Sequence, residues 1–250
     1  MNPEFSADLN TLQLHGLVFD TVIATSPAAS KTHTLDIYRV SDPTSTGWWA
    51  TLWHAMLSYH RARQLVSKWQ VFVDANTNLN SETTASDPYV GVHGERGIRA
   101  AFWRAIVANQ IREPDGSFGT PDDSLIKEIP PLFTGKSNPV SWEYWELFFS
   151  PKTEVQTISY RLYVAECFRA ATGRSLILTR KGFLGLAPVD SQMGDVVCVI
   201  RGCKIPVLIR PVAGKERTYR LVGDCSVYGI MDGSFAHSAS WRDVKSLKIV

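Results

Sequence analysis

Cysteine is scarce in this 250-residue chain, neither sign of charge dominates, and no apolar run approaches the length of a membrane span. Each shortage excludes something. Lys and Arg number 26 against 24 Asp and Glu, a formal net charge of +2, so charge alone sets up no footprint for nucleic acid or an anionic membrane. The longest apolar stretches stay far below the roughly 18 residues that a spanning helix needs, and no membrane association is expected. The start, Met1-Asn2-Pro3-Glu4-Phe5, has neither a positive n-region nor an apolar h-region, so a secretory leader is not expected. Cys167, Cys198, Cys203 and Cys225 are too sparse for a disulfide framework. Three of them lie inside apolar runs and read as buried free thiols of a reducing compartment, which makes the cytoplasm the expected location.

Signatures of chemistry are missing as well. No His-Glu-x-x-His, Cys-x-x-Cys, Walker A or Gly-x-Ser-x-Gly run occurs. His54 and His60 stand six apart on a predicted helix, which puts them on different faces, and Cys198 and Cys203 have no second pair to complete a tetrahedral site. Neither a metal nor a cofactor is expected. Asp195, Asp224 and Asp232 each adjoin a glycine, an ordinary turn pairing that accounts for them without catalysis. The glycines of residues 91–97 open a predicted helix and could expose N–H groups to an anion, but a solvated loop explains them equally.

What is present is 44% apolar and 11% aromatic residues, enough for a sizeable core. Residues 11–25, TLQLHGLVFDTVIAT, are rich in β-branched and aromatic side chains and read as two short paired strands around Gly16. Residues 26–47 read as a loop. Trp49, Leu52, Trp53, Met56, Leu57 and His60 recur at spacings of three and four, predicting an amphipathic helix from Trp48 to about Trp69. A polar loop follows over residues 74–89. Ile98, Ala101, Phe102, Ala105, Ile106 and Asn109 mark the apolar stripe of the next helix, with Arg99, Arg104 and Arg112 elsewhere on its circumference, and Pro114-Asp115-Gly116 ends it in a turn.

A short helix is predicted over residues 138–149. Its Trp142, Trp145 and Phe149, with Phe148, cover too much of its surface to be buried on one side, so they are a candidate partner surface. Val155, Ile158, Leu162, Ala165 and Phe168 predict a helix stopping at Gly173. Beyond it the 3.6 period vanishes. Residues 174–179, 182–186, 195–201, 205–211 and 218–222 are five strand-like runs between glycine turns, the pattern of a small closed barrel. The expected fold class is α+β: a helical part with a short β-hairpin (residues 8–173), packed on a small SH3-like β-barrel (174–235), then a tail (236–250). The opening strands need partners, so the two parts are expected to share one core.

The ordered string over residues 174–233 also resembles the C-terminal region of fungal heterokaryon incompatibility (HET) proteins. Gly185, Pro188, Gly194, Asp195, Gly202, Pro206, Arg210, Gly223, Tyr228, Gly229, Met231, Asp232 and Gly233 carry the likeness, with weaker patches at LQLHGLVFD (residues 12–20) and AFWR (101–104). These positions are read as structural. The family's HET domain precedes such a region and has no counterpart here, so its death-linked effector activity is not carried over. The resemblance implies a non-enzymatic regulatory or recognition module in allorecognition or programmed cell death, with a protein partner or an upstream HET domain. Two other readings are a hydrolase with a pocket between helices and barrel, its histidine close to Asp195, Asp224 or Asp232, and a nucleic-acid reader. The latter requires a contiguous basic surface from Arg180, Lys181, Arg201, Lys204, Arg210 and Arg220; nucleic acid is not the expected partner.

Overall fold

The computed structural model describes residues 4–5, 11–27, 48–79, 88–89, 97–113, 115–134, 155–233, 235 and 243–250, with side chains from residue 60 in the first helix and from residue 162 in the last. The elements, in chain order, are β1 (Glu4–Phe5), β2 (Leu12–Thr25), α1 (Trp48–Leu79), α2 (Ile98–Ala105), β3 (Ile111–Arg112), β4 (Phe118–Gly119), α3 (Asp123–Thr134) and α4 (Val155–Ala171). They continue with β5 (Arg174–Thr179), β6 (Leu184–Pro188), β7 (Val196–Ile200), β8 (Val207–Pro211), β9 (Thr218–Asp224), β10 (Ser226–Val227) and β11 (Lys245–Ile249). The fold is mixed α/β around a nine-stranded sheet.

Residues 11–25 do not fold as two strands around Gly16. They form one strand, β2, 14 residues long. Gly16 is there for space rather than for a turn: a Cβ on it would lie 2.8 Å from Cys198 Sγ and 3.1 Å from Leu247 Cδ1. Register shifts after Val18 and Val22 bend the strand, so that successive stretches meet different partners. Residues 12–16 pair with β11, 16–21 with β7, and 22–25 with β5.

This sharing closes a ring. β2, β11, β9, β8 and β7 are hydrogen-bonded in that order and β7 returns to β2, which leaves no open edge between first and last strand. β9 and β11 run parallel and the other four pairings are antiparallel. Leu14, Val18, Cys198, Ile200, Ile209 and Leu247 fill the interior. β11 lies in the segment expected to be a tail, and β2 in the part expected to be helical, so two of the five staves come from outside residues 174–235.

The β5–β6 hairpin hangs on the far end of β2 and is buried on both faces, as alternation of side chains along a strand allows. Ile177 and Ala187 join Phe19, Val22, Val197 and Leu208 on one face. Leu176, Leu178, Leu184 and Leu186 turn to the helices, where they meet Trp69, Phe102, Trp103, Ile129, Tyr163 and Phe168 in a continuous apolar cluster. Each such fully buried aliphatic side chain contributes roughly 1.5–3 kcal/mol, so this layer is what fastens the helices to the sheet.

Several boundaries differ from expectation. α1 runs on to Leu79 through the polar stretch read as a loop, since Val66, Trp69 and Val73 keep its inner face buried. α2 stops at Ala105 because Ala108 and Asn109 take φ of 54° and 55°. Arg104, expected on the outside of that helix, is buried; it donates to the Pro121 carbonyl and pairs with Asp123. α3 had no counterpart in the sequence reading, and Asp122 caps it by accepting from Leu125 N at 2.7 Å. α4 ends as expected, with Gly173 at φ +69°. Asp115 and Gly116, expected in the turn that ends that helix, lie between β3 and β4, and Pro114 is outside the described residues. The helix expected at residues 138–149, with Trp142, Trp145 and Phe149, lies outside the described residues.

Candidate functional site

The glycine-punctuated string 174–233 lines up around three contacts. In the first, Asp195 stands just before β7 and is buried, 1% exposed. Arg210 on β8 donates from Nε to Asp195 Oδ1 (2.7 Å) and from Nη2 to Oδ2 (3.0 Å), and Nη2 also reaches the Asp190 carbonyl (2.7 Å). Gln192 N donates to the same carboxylate, and Gly194 N and Asp195 O bond the backbone of Val22 on β2. The bond to Asp195 pushes the Arg210 guanidinium further up from its ordinary range. Loop, β8 and β2 are thereby locked to one carboxylate, a bidentate arrangement that lysine cannot reproduce.

The second contact joins the hairpin to the ring. A Cβ on Gly223 would lie 2.7 Å from Pro188 Cγ, and one on Gly185 would lie 2.4 Å from the Ser226 carbonyl oxygen. Gly223 makes room for the Pro188 ring, and Gly185 permits close approach of the β10 backbone. In the β7–β8 turn, Gly202 is exposed, while Pro206 is buried and its carbonyl accepts from Cys225 N.

The third contact is aromatic. Tyr228 stacks on Tyr89 at 5.4 Å, and Phe183 meets Tyr89 and Phe19 edge-on at 5.6 Å and 4.9 Å. Tyr89 Oη accepts from Leu184 N at 2.6 Å, and Tyr228 N donates to the Leu184 carbonyl. Gly229 follows at φ +95°, where a Cβ would stand 3.1 Å from the Phe183 ring, so both backbone and space require glycine. Met231 and Gly233 are half-buried beyond it and Asp232 is exposed.

Sequence reasoning missed Tyr89, Asp20 and Ser26, and took Lys181 only as part of a basic surface. Asp20 Oδ2 accepts from Lys181 N (2.7 Å), Lys181 Nζ donates to the Phe19 carbonyl (3.0 Å), and Ser26 Oγ accepts from Leu176 N (2.9 Å). These partners lie 95 to 162 residues apart in the chain. No local signal could have found them.

Of the carboxylates weighed for catalysis, Asp195 is held by Arg210 and Asp224 by Arg174. The junction of helices and sheet, where the hydrolase reading needs a cleft, is the apolar cluster described above. Two grooves among the described residues lie elsewhere: one of about 420 Å³ between α1 and α2, and one of about 730 Å³ between α1 and α3. Among the described residues no group of three or more His, Cys, Asp or Glu is placed to hold a metal ion. No helix among them is long and apolar enough to cross a membrane. Two of the six basic residues required for a nucleic-acid surface, Lys181 and Arg210, are engaged in the fold. The turns that carry Arg180 and Arg201 bond β2 at Thr21 and His15, roughly 20 Å apart at 3.3 Å per residue.

Residues 150–245 match the family model of the Het-6 beta-barrel domain. That span is similar to a Het-6 barrel. Over 76 residues it is 43% identical to heterokaryon incompatibility protein 6, OR allele, of Neurospora crassa, a stretch that takes up 30% of this chain and 11% of that protein. No solved structure matches. The three contacts of the string thus fall within the matched span, except that Tyr89, Phe19 and Val22 reach into it from outside. The five-strand ring also takes its β2 stave from before the matched span.

Proposed function

We propose that this chain is a non-enzymatic regulatory module of a heterokaryon incompatibility system, acting through protein–protein contacts in allorecognition and programmed cell death. The observation that carries the reading is how the residues of the family-like string are used. Asp195, Arg210, Gly223, Tyr228 and Gly229 all serve to hold strands, loops and rings together, so they build a rigid body and leave the reaction centre of any effector to another domain. The closed five-strand ring supports an SH3-like description of the barrel, and the similarity to heterokaryon incompatibility protein 6 supports the biological setting.

The partner in this reading is a HET domain, in the same polypeptide or in another protein, whose conformation the module controls. The cytoplasm is the compartment that suits it. Size-exclusion chromatography and pull-down of the chain with a HET domain, fused and separate, test the proposal. Co-elution is the expected result; failure to associate in both formats would remove it.

A further inference from the structure

The stave β11 is held unequally by its two neighbours. On one side its residues 245–249 pair antiparallel with Gly16 back to Leu12 of β2. On the other, only Lys248 and Ile249 pair with β9, and in the parallel sense, the less stable of the two per residue. Leu247 is its one fully buried side chain; Ser246 and Ile249 are half-buried, and Lys245 and Lys248 are exposed. No residue of β11 belongs to the apolar cluster that fastens the helices to the sheet.

The other four staves do not depend on it. β9 pairs with β8, β8 with β7, and β7 with β2, so taking β11 out turns the closed ring into a continuous four-stranded sheet and breaks no other pairing. A short terminal element with so little buried surface belongs to the part of a fold that opens first. The slot left behind has the backbone of β2 on one side and that of β9 on the other. An extended segment with apolar residues at alternate positions fits such a slot, in the manner of strand addition.

A second copy of this chain carries that segment, with Leu247 and Ile249 as the two residues that pack into the interior. Phe235 is anchored edge-on against Phe19 at 4.8 Å. From Phe235 to Lys245 the chain can reach about 33 Å at 3.3 Å per residue, against a radius of gyration of roughly 18 Å for a compact chain of this length. We propose that β11 is an exchangeable stave, which leaves its own ring and closes the ring of a second copy to give a reciprocal, two-fold strand-swapped dimer. This stands apart from the regulatory reading and holds if no HET domain binds.

Disulfide trapping between two differently tagged populations of the full chain tests it, both carrying Cys203→Ser to remove the exposed thiol. One population carries His15→Cys and the other Ser246→Cys, positions that face each other across β2 and β11. After mixing at high concentration and mild oxidation, a covalent heterodimer should form in at least ten-fold higher yield than with Ser117→Cys, an exposed position on the β3–β4 hairpin, in place of Ser246→Cys. No heterodimer, or an equal yield from the Ser117→Cys control, would overturn the proposal. Hydrogen exchange of the unaltered chain gives a reading that needs no substitution: amides of β11 should exchange at least ten-fold faster than those of β7. Equal protection of the two strands would overturn it as well.

Discussion

The α-carbon of Gly16 presses against the Cys198 thiol inside the five-strand ring, so closely that an added methyl group would come within 2.8 Å of the sulfur and 3.1 Å of the Val199 carbonyl. Gly16→Ala should therefore destabilise the protein by about 1–3 kcal/mol, the usual cost of overfilling a tight core. Chemical denaturation measures it. Cys198→Ala in the same chain should recover part of the loss, because two residues in contact do not add independently.

Arg210 and Asp195 make an unequal pair: the guanidinium is a third exposed, the carboxylate 1%. Arg210→Ala strands a buried charge and should cost on the order of 3 kcal/mol. Asp195→Asn leaves an arginine that water can still reach, so its cost should be smaller. Equal losses in urea titrations of the two variants would contradict the lock described for loop, β8 and β2.

Asp122 offers a pH test. Its bond from Leu125 N, then that from Ser124 Oγ, holds the carboxyl below its ordinary value of 3.8. A depressed folded-state value means that the cap stabilises fully above the unfolded value and is lost as pH falls through the folded one. Asp122→Ala should cost about 1 kcal/mol at neutral pH, and the gap from the parent should close as the solution is acidified below that range.

Burial pushes the thiols of Cys167, Cys198 and Cys225 up to about 12, while Cys203 is exposed. At pH 8 the three buried groups hold almost no thiolate, the reactive form. An aromatic disulfide reagent should titrate one thiol per native chain and all four after denaturation. Two or more fast-reacting thiols in the native protein would show that the interior opens readily.

Tyr89 should prove important despite standing outside the family-like string. Tyr89→Phe removes the acceptor of Leu184 N, an unsatisfied buried donor worth about 1–3 kcal/mol. Thermal unfolding should register the loss even though the ring stack on Tyr228 is kept.

The strands β5 to β9 were legible in the sequence because each is a short apolar-rich run set off by glycine turns, and such runs declare themselves locally. Gly16 was misread because a glycine that admits a sulfur and one that makes a turn look alike until the opposing strand is known. β11, KSLKI, alternates charged and apolar residues, but it is one isolated run of five far from the other strands, and only its pairing with β2 gives it a role. α3 carries Pro130 and Pro131, which usually interrupt a helix. Arg104 looked like a solvent-facing cation because the Pro121 carbonyl that receives it belongs to a different segment. Of the candidate site, the glycines, Asp195 and Arg210 were picked out one by one, whereas the pairing of Asp195 with Arg210 and the roles of Tyr89 and Lys181 depend on neighbours brought in by the fold.

The pairing of β2 with β11 has a kinetic consequence. Gln13 and Ser246, joined by a side-chain hydrogen bond, are 233 positions apart, so all of the intervening chain must be made before β11 can dock on β2. Topologies dominated by such remote encounters collapse slowly. During synthesis the edge of β2 that β11 covers therefore stays unpaired until residues 245–249 have been made, even though β5 and β7 can pair with β2 before then.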